Sequence, residues 1–239
     1  MTTGRIDVHA HLLPDVDDGC KSYGDSFACA RELVAAGYTH AFCTPHVWPA
    51  YNFVTRANVP VWTRDLQSKL DEERIPLKLL PGGEMNLHEG TRDLTDEFLI
   101  SYAMAGRYML ADIWAAELPE FFAPTIRFLQ SRGYTVILAH PERMRAVQDH
   151  PELADVFADM GMLLQGNLQC FGDPPESHTR RVAEKYLAEG RYFMLGSDTH
   201  NPQSMAIRMN GLRNAIQLAG EAAIAKLTIE NPRKLLPTT

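Results

Sequence analysis

The stretch that decides the fold reads Ile6-Asp7-Val8-His9-Ala10-His11, and continues Leu12-Leu13-Pro14-Asp15-Val16-Asp17-Asp18-Gly19. Ile6 and Val8 alternate with polar neighbours, the pattern of a short strand. In an extended segment His9 and His11 leave the same face, and two neutral imidazoles on one face form a natural pair of metal ligands. Three loop aspartates follow, Asp15, Asp17 and Asp18, and carboxylates beside imidazoles suit Zn, Mn or Fe. A second such pair stands near the other end of the chain, in Gly196-Ser197-Asp198-Thr199-His200.

Outward from these pairs the chain alternates strand and helix. A helix capped by Asp25 is predicted, with Phe27, Ala30, Leu33 and Val34 on one face and Gly37 at its end. Strands are predicted at Tyr38 to Cys43, Leu77 to Leu80, Ile113 to Ala116, Tyr134 to Ala139, from Met162, and at Tyr192 to Leu195. Tyr108 to Ala111 also has extended character. Helices are predicted near 57–73, 124–131, 153–160, 177–189 and from Met205. This order implies parallel strands with both faces buried. Polar groups recur just after the strands: His46, Glu84, Glu117, His140, then Asp198 and His200. About seven such units point to a barrel of the triosephosphate-isomerase kind, whose active site lies at the C-terminal strand ends. An open doubly wound sheet would gather six strand ends less readily. Each group alone has an ordinary explanation, such as a turn, an ion pair or a core histidine. Their recurrence strand after strand selects the metal cluster. His40, His88, His150 and His178 are read as surface or structural.

The chain has 239 residues, 45% apolar and 22% charged, with no linker or repeat, so one domain over 1–239 is expected. A formal charge of −7 offers no basic field for nucleic acid or an anionic membrane. No apolar run approaches the roughly 18 residues of a membrane span, and the polar start does not read as a signal peptide. Cys20, Cys29, Cys43 and Cys170 include no C-x-x-C pair, which leads to the expectation of a reduced, cytoplasmic protein.

D-V-H-A-H, T-P-H, G-G-E, A-E-L-P, H-P-E-R and S-D-T-H, in this order, resemble the polymerase-and-histidinol-phosphatase (PHP) superfamily. The start H-A-H-L-L-P-D-V-D-D-G and the late E-N-P-R-K-L-L resemble one branch of it, the bacterial manganese-dependent protein-tyrosine phosphatases found with capsule and exopolysaccharide synthesis genes. The resemblance runs from Ile6 to about Leu236. It implies a distorted (β/α)7 barrel and two or three divalent ions, Mn first, with Fe or Zn as alternatives. Carried over, it gives one ion to His9, His11 and Asp198, with Glu117 bridging. Glu84 and His140 would hold a second ion with Glu117, and Asp18, His46 and His200 a third. The bridging position is open in register between Asp112 and Glu117. Glu117 is preferred because Leu118-Pro119 follows it. The branch has an arginine where Met205 stands here, and Arg208 is the expected substitute.

In such an enzyme clustered ions would neutralise a phosphate dianion and activate a bound water as hydroxide, which would attack phosphorus. Arg143 is the expected catalytic and phosphate-binding fork, with Arg208 and Trp48 as further substrate-binding residues. The expected partner is a phosphotyrosine protein, such as a capsule or exopolysaccharide tyrosine kinase. The alternatives are a phosphatase for a small phosphorylated metabolite, of the histidinol-phosphate type, or a non-catalytic metal-binding regulatory domain. A cysteine-dependent mechanism is excluded. It needs an arginine six positions after the cysteine, where this chain has Ser26, Ala35, Pro49 and Glu176.

Overall fold

A computed structural model of the chain describes residues 4–237. Its strands in chain order are β1 (Arg5–Ala10), β2 (Tyr38–Cys43), β3 (His46–Val47), β4 (Lys78–Pro81), β5 (Glu84–Asn86), β6 (Tyr108–Asp112), β7 (Thr135–Ala139), β8 (Leu163–Asn167) and β9 (Met194–Gly196). All pairings are parallel, in the orders β1-β2-β4 and β3-β5-β6-β7-β8-β9. The two runs are one ring of staves broken at the same level. Thr44-Pro45 separates β2 from β3, and Gly82-Gly83 separates β4 from β5. Pro45 has no N–H for the ladder. At Gly83 a Cβ would lie 2.9 Å from the Ile100 side chain. Pairing resumes across the break, with Gly82 N–H donating to Cys43 O at 2.9 Å and Glu84 N–H to Pro45 O at 3.0 Å.

The last strand meets the first. Ala10 bridges Thr199 in parallel, Asp198 N–H donates to His9 O at 2.7 Å and His11 N–H to Thr199 O at 2.8 Å. The seam is reinforced by Asp7, whose carboxylate accepts from the Ser197 N–H at 2.9 Å and from its hydroxyl. Ile6, Val8, Phe42, Leu110, Ile137, Ala139 and Met194, from five of the staves, pack into one apolar cluster. Burying each of the larger ones contributes about 1.5–3 kcal/mol. Leu33, Leu66, Ile126 and Leu129 of the surrounding helices join a second cluster with Ala41, Leu79, Ala111 and Val136 of the strands. Short parallel strands covered by amphipathic helices are the expected α/β barrel architecture.

Two expectations are corrected. The first helix (Tyr23–Ala35) is capped by Ser22, whose side chain accepts from Asp25 N–H, and not by Asp25. The fourth stave is Tyr108–Asp112 and not Ile113 to Ala116, which forms no strand. Both tracts are apolar. Cross-strand register decides between them, since Tyr108 pairs with Thr135, Leu110 with Ile137, and Asp112 with Asn86.

Candidate metal centre

Side chains from the strand ends converge on one point. His11, Asp18, His46 and His200 form one group able to hold an ion, His9, His11 and Glu84 a second, and His9, His140 and Asp198 a third. In each group the ligand atoms lie within 4.8 Å of one another. Eight of the nine sequence candidates therefore meet: His9, His11, Asp18, His46, Glu84, His140, Asp198 and His200. Glu117 does not join them. It is exposed, beyond the end of β6, because the strand ends earlier than expected. The carboxylate at the middle is Glu84. Its Oε2 lies 3.3 Å from His9 Nε2, 3.4 Å from His11 Nε2 and 2.9 Å from His46 Nδ1, and its Oε1 lies 3.0 Å from His140 Nε2.

Outer partners fix these groups. His9 Nδ1 lies 2.9 Å from Gln165 Oε1, and His11 Nδ1 lies 2.7 Å from Asp17 Oδ2. Each bond leaves Nε2 for the cluster and sets the ring orientation. Asp17 also accepts from Gly19 N–H at 2.9 Å and from His46 N–H at 3.0 Å. Gly19 must be glycine, since a Cβ there would fall 2.4 Å from His11 Cβ. Asp198 Oδ2 accepts from Asn167 Nδ2 and from Arg143 Nη1, both at 2.8 Å. Asp198 and His140 have φ of 53° and 34°, a left-handed backbone that costs about 1–3 kcal/mol in a non-glycine residue. Asp17, Gln165 and Asn167 were visible only as polar residues near strand ends. Their roles depend on contacts distant in sequence.

The charges are strongly coupled. Burial pushes the Glu84 and Asp198 carboxyls up, but His9 and the other imidazoles outweigh it and hold both well below the usual carboxylate range. Burial likewise opposes protonation of His9 and His11. The carboxylates around His9, and Asp17 beside His11, nevertheless raise both. His46 is brought to about 9, against burial, by Asp18 and Glu84. Hydrogen bonds from His200 and His46 drive the Asp18 carboxyl far down. With protein groups alone, protons carry the positive charge that these carboxylates require. A divalent ion is the other way to supply it.

The donor set fits divalent ions. It consists of imidazole and carboxylate with no thiolate, the choice of borderline metals. Glu84 Oε2 and His46 Nδ1 approach closely without hydrogen-bond geometry, and both are buried atoms with no bonding partner. Such orphans are costly unless something else satisfies them. Asp112 adds another. Its Oδ1 accepts from Asn86 Nδ2 at 3.3 Å, while its Oδ2 is buried and unpartnered. Burial and then Glu84 push its carboxyl up to about 7.

The three substrate candidates fare differently. Arg143 lies at the rim, half-exposed and bonded to Asp198, on a cavity of about 370 Å³ that also touches Trp114, His140 and Arg145. Trp48 stands beside the cluster, its ring 4.2 Å from that of His46 and 4.6 Å from that of Trp114. Arg208 is corrected. It is 4% exposed, donating to the carbonyls of Ser197 at 2.8 Å, Asp198 at 2.6 and 3.0 Å, and Ser204 at 3.1 Å. It therefore holds the backbone of the Asp198 turn and is not available to a phosphate. Met205 is buried too, with Thr199 Oγ1 3.2 Å from its sulfur.

A parallel β/α barrel with such a cluster at its strand ends defines a scaffold able to hold divalent ions. The chain belongs to the family described as "Capsular polysaccharide synthesis, CpsB/CapC", whose profile matches residues 5–237. It is 32% identical over 205 residues to the tyrosine-protein phosphatase YwqE of Bacillus subtilis, covering 82% of this chain and 77% of the relative. To the tyrosine-protein phosphatase CpsB of Streptococcus pneumoniae it is 25% identical over 261 residues, covering 97% and 98%. The fold superimposes with a TM-score of 0.86 at 26% identity, covering 96% of this chain and 94% of the other, on a crystal structure from work on YwqE and CpsB, described as unique metal-dependent tyrosine phosphatases. A Lactococcus lactis histidinol phosphate phosphatase shares the fold at a TM-score of 0.56 and 16% identity, covering 91% and 94%.

Proposed function

We propose that the chain is a metal-dependent protein-tyrosine phosphatase. The observation that carries this reading is the eight-residue imidazole and carboxylate cluster opening on a cavity rimmed by Arg143 and walled by Trp114. His9, His11, Asp18, His46, Glu84, His140, Asp198 and His200 would hold two or three ions, manganese first. Asp112 fits the bridging position for which Glu117 was preferred, because it is buried and half-partnered. When bound, the ions would supply positive charge for the phosphate dianion and make a coordinated water more acidic.

The chain's own residues do the rest. Arg143 donates to phosphoryl oxygens from the rim and fixes the ester's orientation. Asp198 Oδ2, accepting from Arg143 Nη1, fixes the guanidinium in turn. Trp48 and Trp114 offer ring faces for the leaving aryl group. A phenol of pKa about 10 leaves with less acid assistance than an alkoxide, so no dedicated proton donor is required. The thiols take no part. All four are buried, and burial pushes Cys43 and Cys170 up, away from the thiolate. We also read residues 1–239 as one catalytic unit, because the ligands come from both the first and the last strand. No helix among the described residues is long and apolar enough to cross a membrane. The unpaired cysteines support a cytoplasmic setting, where a phosphorylated capsule or exopolysaccharide tyrosine kinase would be a fitting substrate.

The test is metal analysis of the purified protein with phosphate release measured on phosphotyrosine peptides, phosphoserine peptides, and sugar and amino-alcohol phosphates. We expect manganese-loaded protein to prefer phosphotyrosine by at least about tenfold in kcat/KM, the value of one specific contact. A higher value on an amino-alcohol phosphate would make it a metabolite phosphatase. No turnover in any metal form would leave a regulatory metal-binding domain.

A further inference from the structure

Two stretches carry no recognisable motif, residues 47–59 and 86–105, and they meet beside the metal centre. Val47, Trp48 and Pro49 from the first, and His88, Leu94 and Phe98 from the second, line a cavity of about 280 Å³. None of the clustered metal groups lines it. Yet Trp48 belongs to both regions, since its ring also lies 4.2 Å from His46 and 4.6 Å from Trp114.

We infer that this apolar cavity is a subsite for an apolar side chain of a phosphopeptide, two residues from its phosphotyrosine. The inference rests on the phosphatase reading above. Four observations support it. The lining is apolar and uncharged apart from Asn52 and His88, whereas the cavity under Arg143 carries two arginines. A well-packed interior would have closed such a space, and Pro49 and Asn52 are exposed, so it opens to solvent. Its volume lies below the range of about 300–1,000 Å³ usual for a whole small-molecule ligand, and so suits a single side chain. The Trp48 indole N–H is buried without a partner, so packing alone holds the ring, as suits a wall shared by two subsites. In an extended peptide, residues two apart lie on one face about 6.6 Å from each other. A phosphotyrosine at the metal centre would thus place its second neighbour across Trp48.

The experiment uses manganese-loaded protein and phosphotyrosine peptides with Leu, Gly or Asp two positions before or after the phosphotyrosine. Each kcat/KM is divided by that of free phosphotyrosine on the same preparation, so loss of active protein cancels. Binding of peptides with a non-hydrolysable phosphonate is measured by calorimetry in parallel. On one side of the phosphotyrosine, Leu should exceed Asp by about 10- to 100-fold, the expectation for burying one aliphatic side chain. Leu94→Asp, and Asn52→Trp at the exposed rim, should each bring that ratio close to one in both measurements. A ratio that is flat in the wild type, or unchanged in both variants, would overturn the subsite while leaving the phosphatase reading intact. So would a change of oligomeric state in Leu94→Asp with unaltered peptide preference, which would assign the cavity to a second copy of the chain. Failure to turn over either free phosphotyrosine or any peptide would overturn the phosphatase reading, and this inference with it.

Discussion

The ends of β1 and β6 carry different kinds of buried side chain. At the end of β1 both imidazoles are engaged from behind, His9 by Gln165 and His11 by Asp17. At the end of β6, Asp112 is equally buried but has one oxygen without a partner, and its carboxyl is pushed up to about 7. The first arrangement is oriented before anything binds. The second leaves one buried carboxylate oxygen open. A site built from both kinds would hold ions in a fixed frame and still gain stability when they arrive.

The comparison can be broken most forcefully at β1. His9→Ala should reduce phosphate release by more than about 100-fold, beyond the range typical of outer-shell partners, and should reduce bound metal in elemental analysis. A variant with full metal content and ordinary turnover would show that β1 is not the frame. Arg143→Ala comes next. It should lower kcat/KM by about one to three orders of magnitude, as loss of a single transition-state donor does, without altering metal content. If metal is lost as well, the main task of Arg143 is to hold Asp198.

At β6 the expected effect is smaller and more discriminating. Asp112→Asn should weaken ion affinity by about 10- to 100-fold, whereas Glu117→Gln, on the exposed segment, should titrate like wild type. The opposite result would return the bridging role to Glu117. Arg208→Ala should act through stability. It leaves the buried Ser197 and Asp198 carbonyls short of a donor, worth about 1–3 kcal/mol, and should appear first as a lower Tm.

The mildest test is pH. His46, raised to about 9, is protonated at neutral pH in the metal-free protein. Its contribution to stability is complete below about 6.5 and is lost as pH rises through about 9. Asp17, lowered to about 2 mainly by His11 against burial, behaves oppositely. Its contribution is complete above about 3.9 and is lost as pH falls through about 2. Ion binding must displace the His46 proton, so manganese affinity should rise between pH 6 and 9, with proton release seen in calorimetry performed in two buffers. Affinity that is flat over this range would remove His46 from the ligand set.

These contrasts also explain what the sequence could disclose. His9 and His11 were legible because a strand has a strict two-residue period and the strand itself was unmistakable. His46, Glu84, His140, Asp198 and His200 were legible because a parallel barrel delivers every strand end to one rim. The end of β6 was not, because two apolar tracts lie side by side and only pairing with Thr135, Ile137 and Asn86 selects one of them. Arg208 was misjudged for a related reason. Spacing places it one turn after Met205, but spacing does not tell whether that turn lies over the site or beneath it. Asp17, Gln165 and Asn167 escaped because a polar side chain behind a ligand has no pattern of its own.

The seam between β1 and the turn after β9 bears on the order of events during synthesis. Asp7 and Ser197 are 190 positions apart, among the most distant contacts in the fold and the slowest kind to form. A nascent chain emerging from the N-terminal end exposes His9 and His11 long before Asp198 and His200 have been made. Until then the imidazole pair lacks the carboxylate and the histidine that complete two of the three ligand groups. Assembly of all three ligand groups is therefore a timestamp on the molecule, recording that its two ends have met.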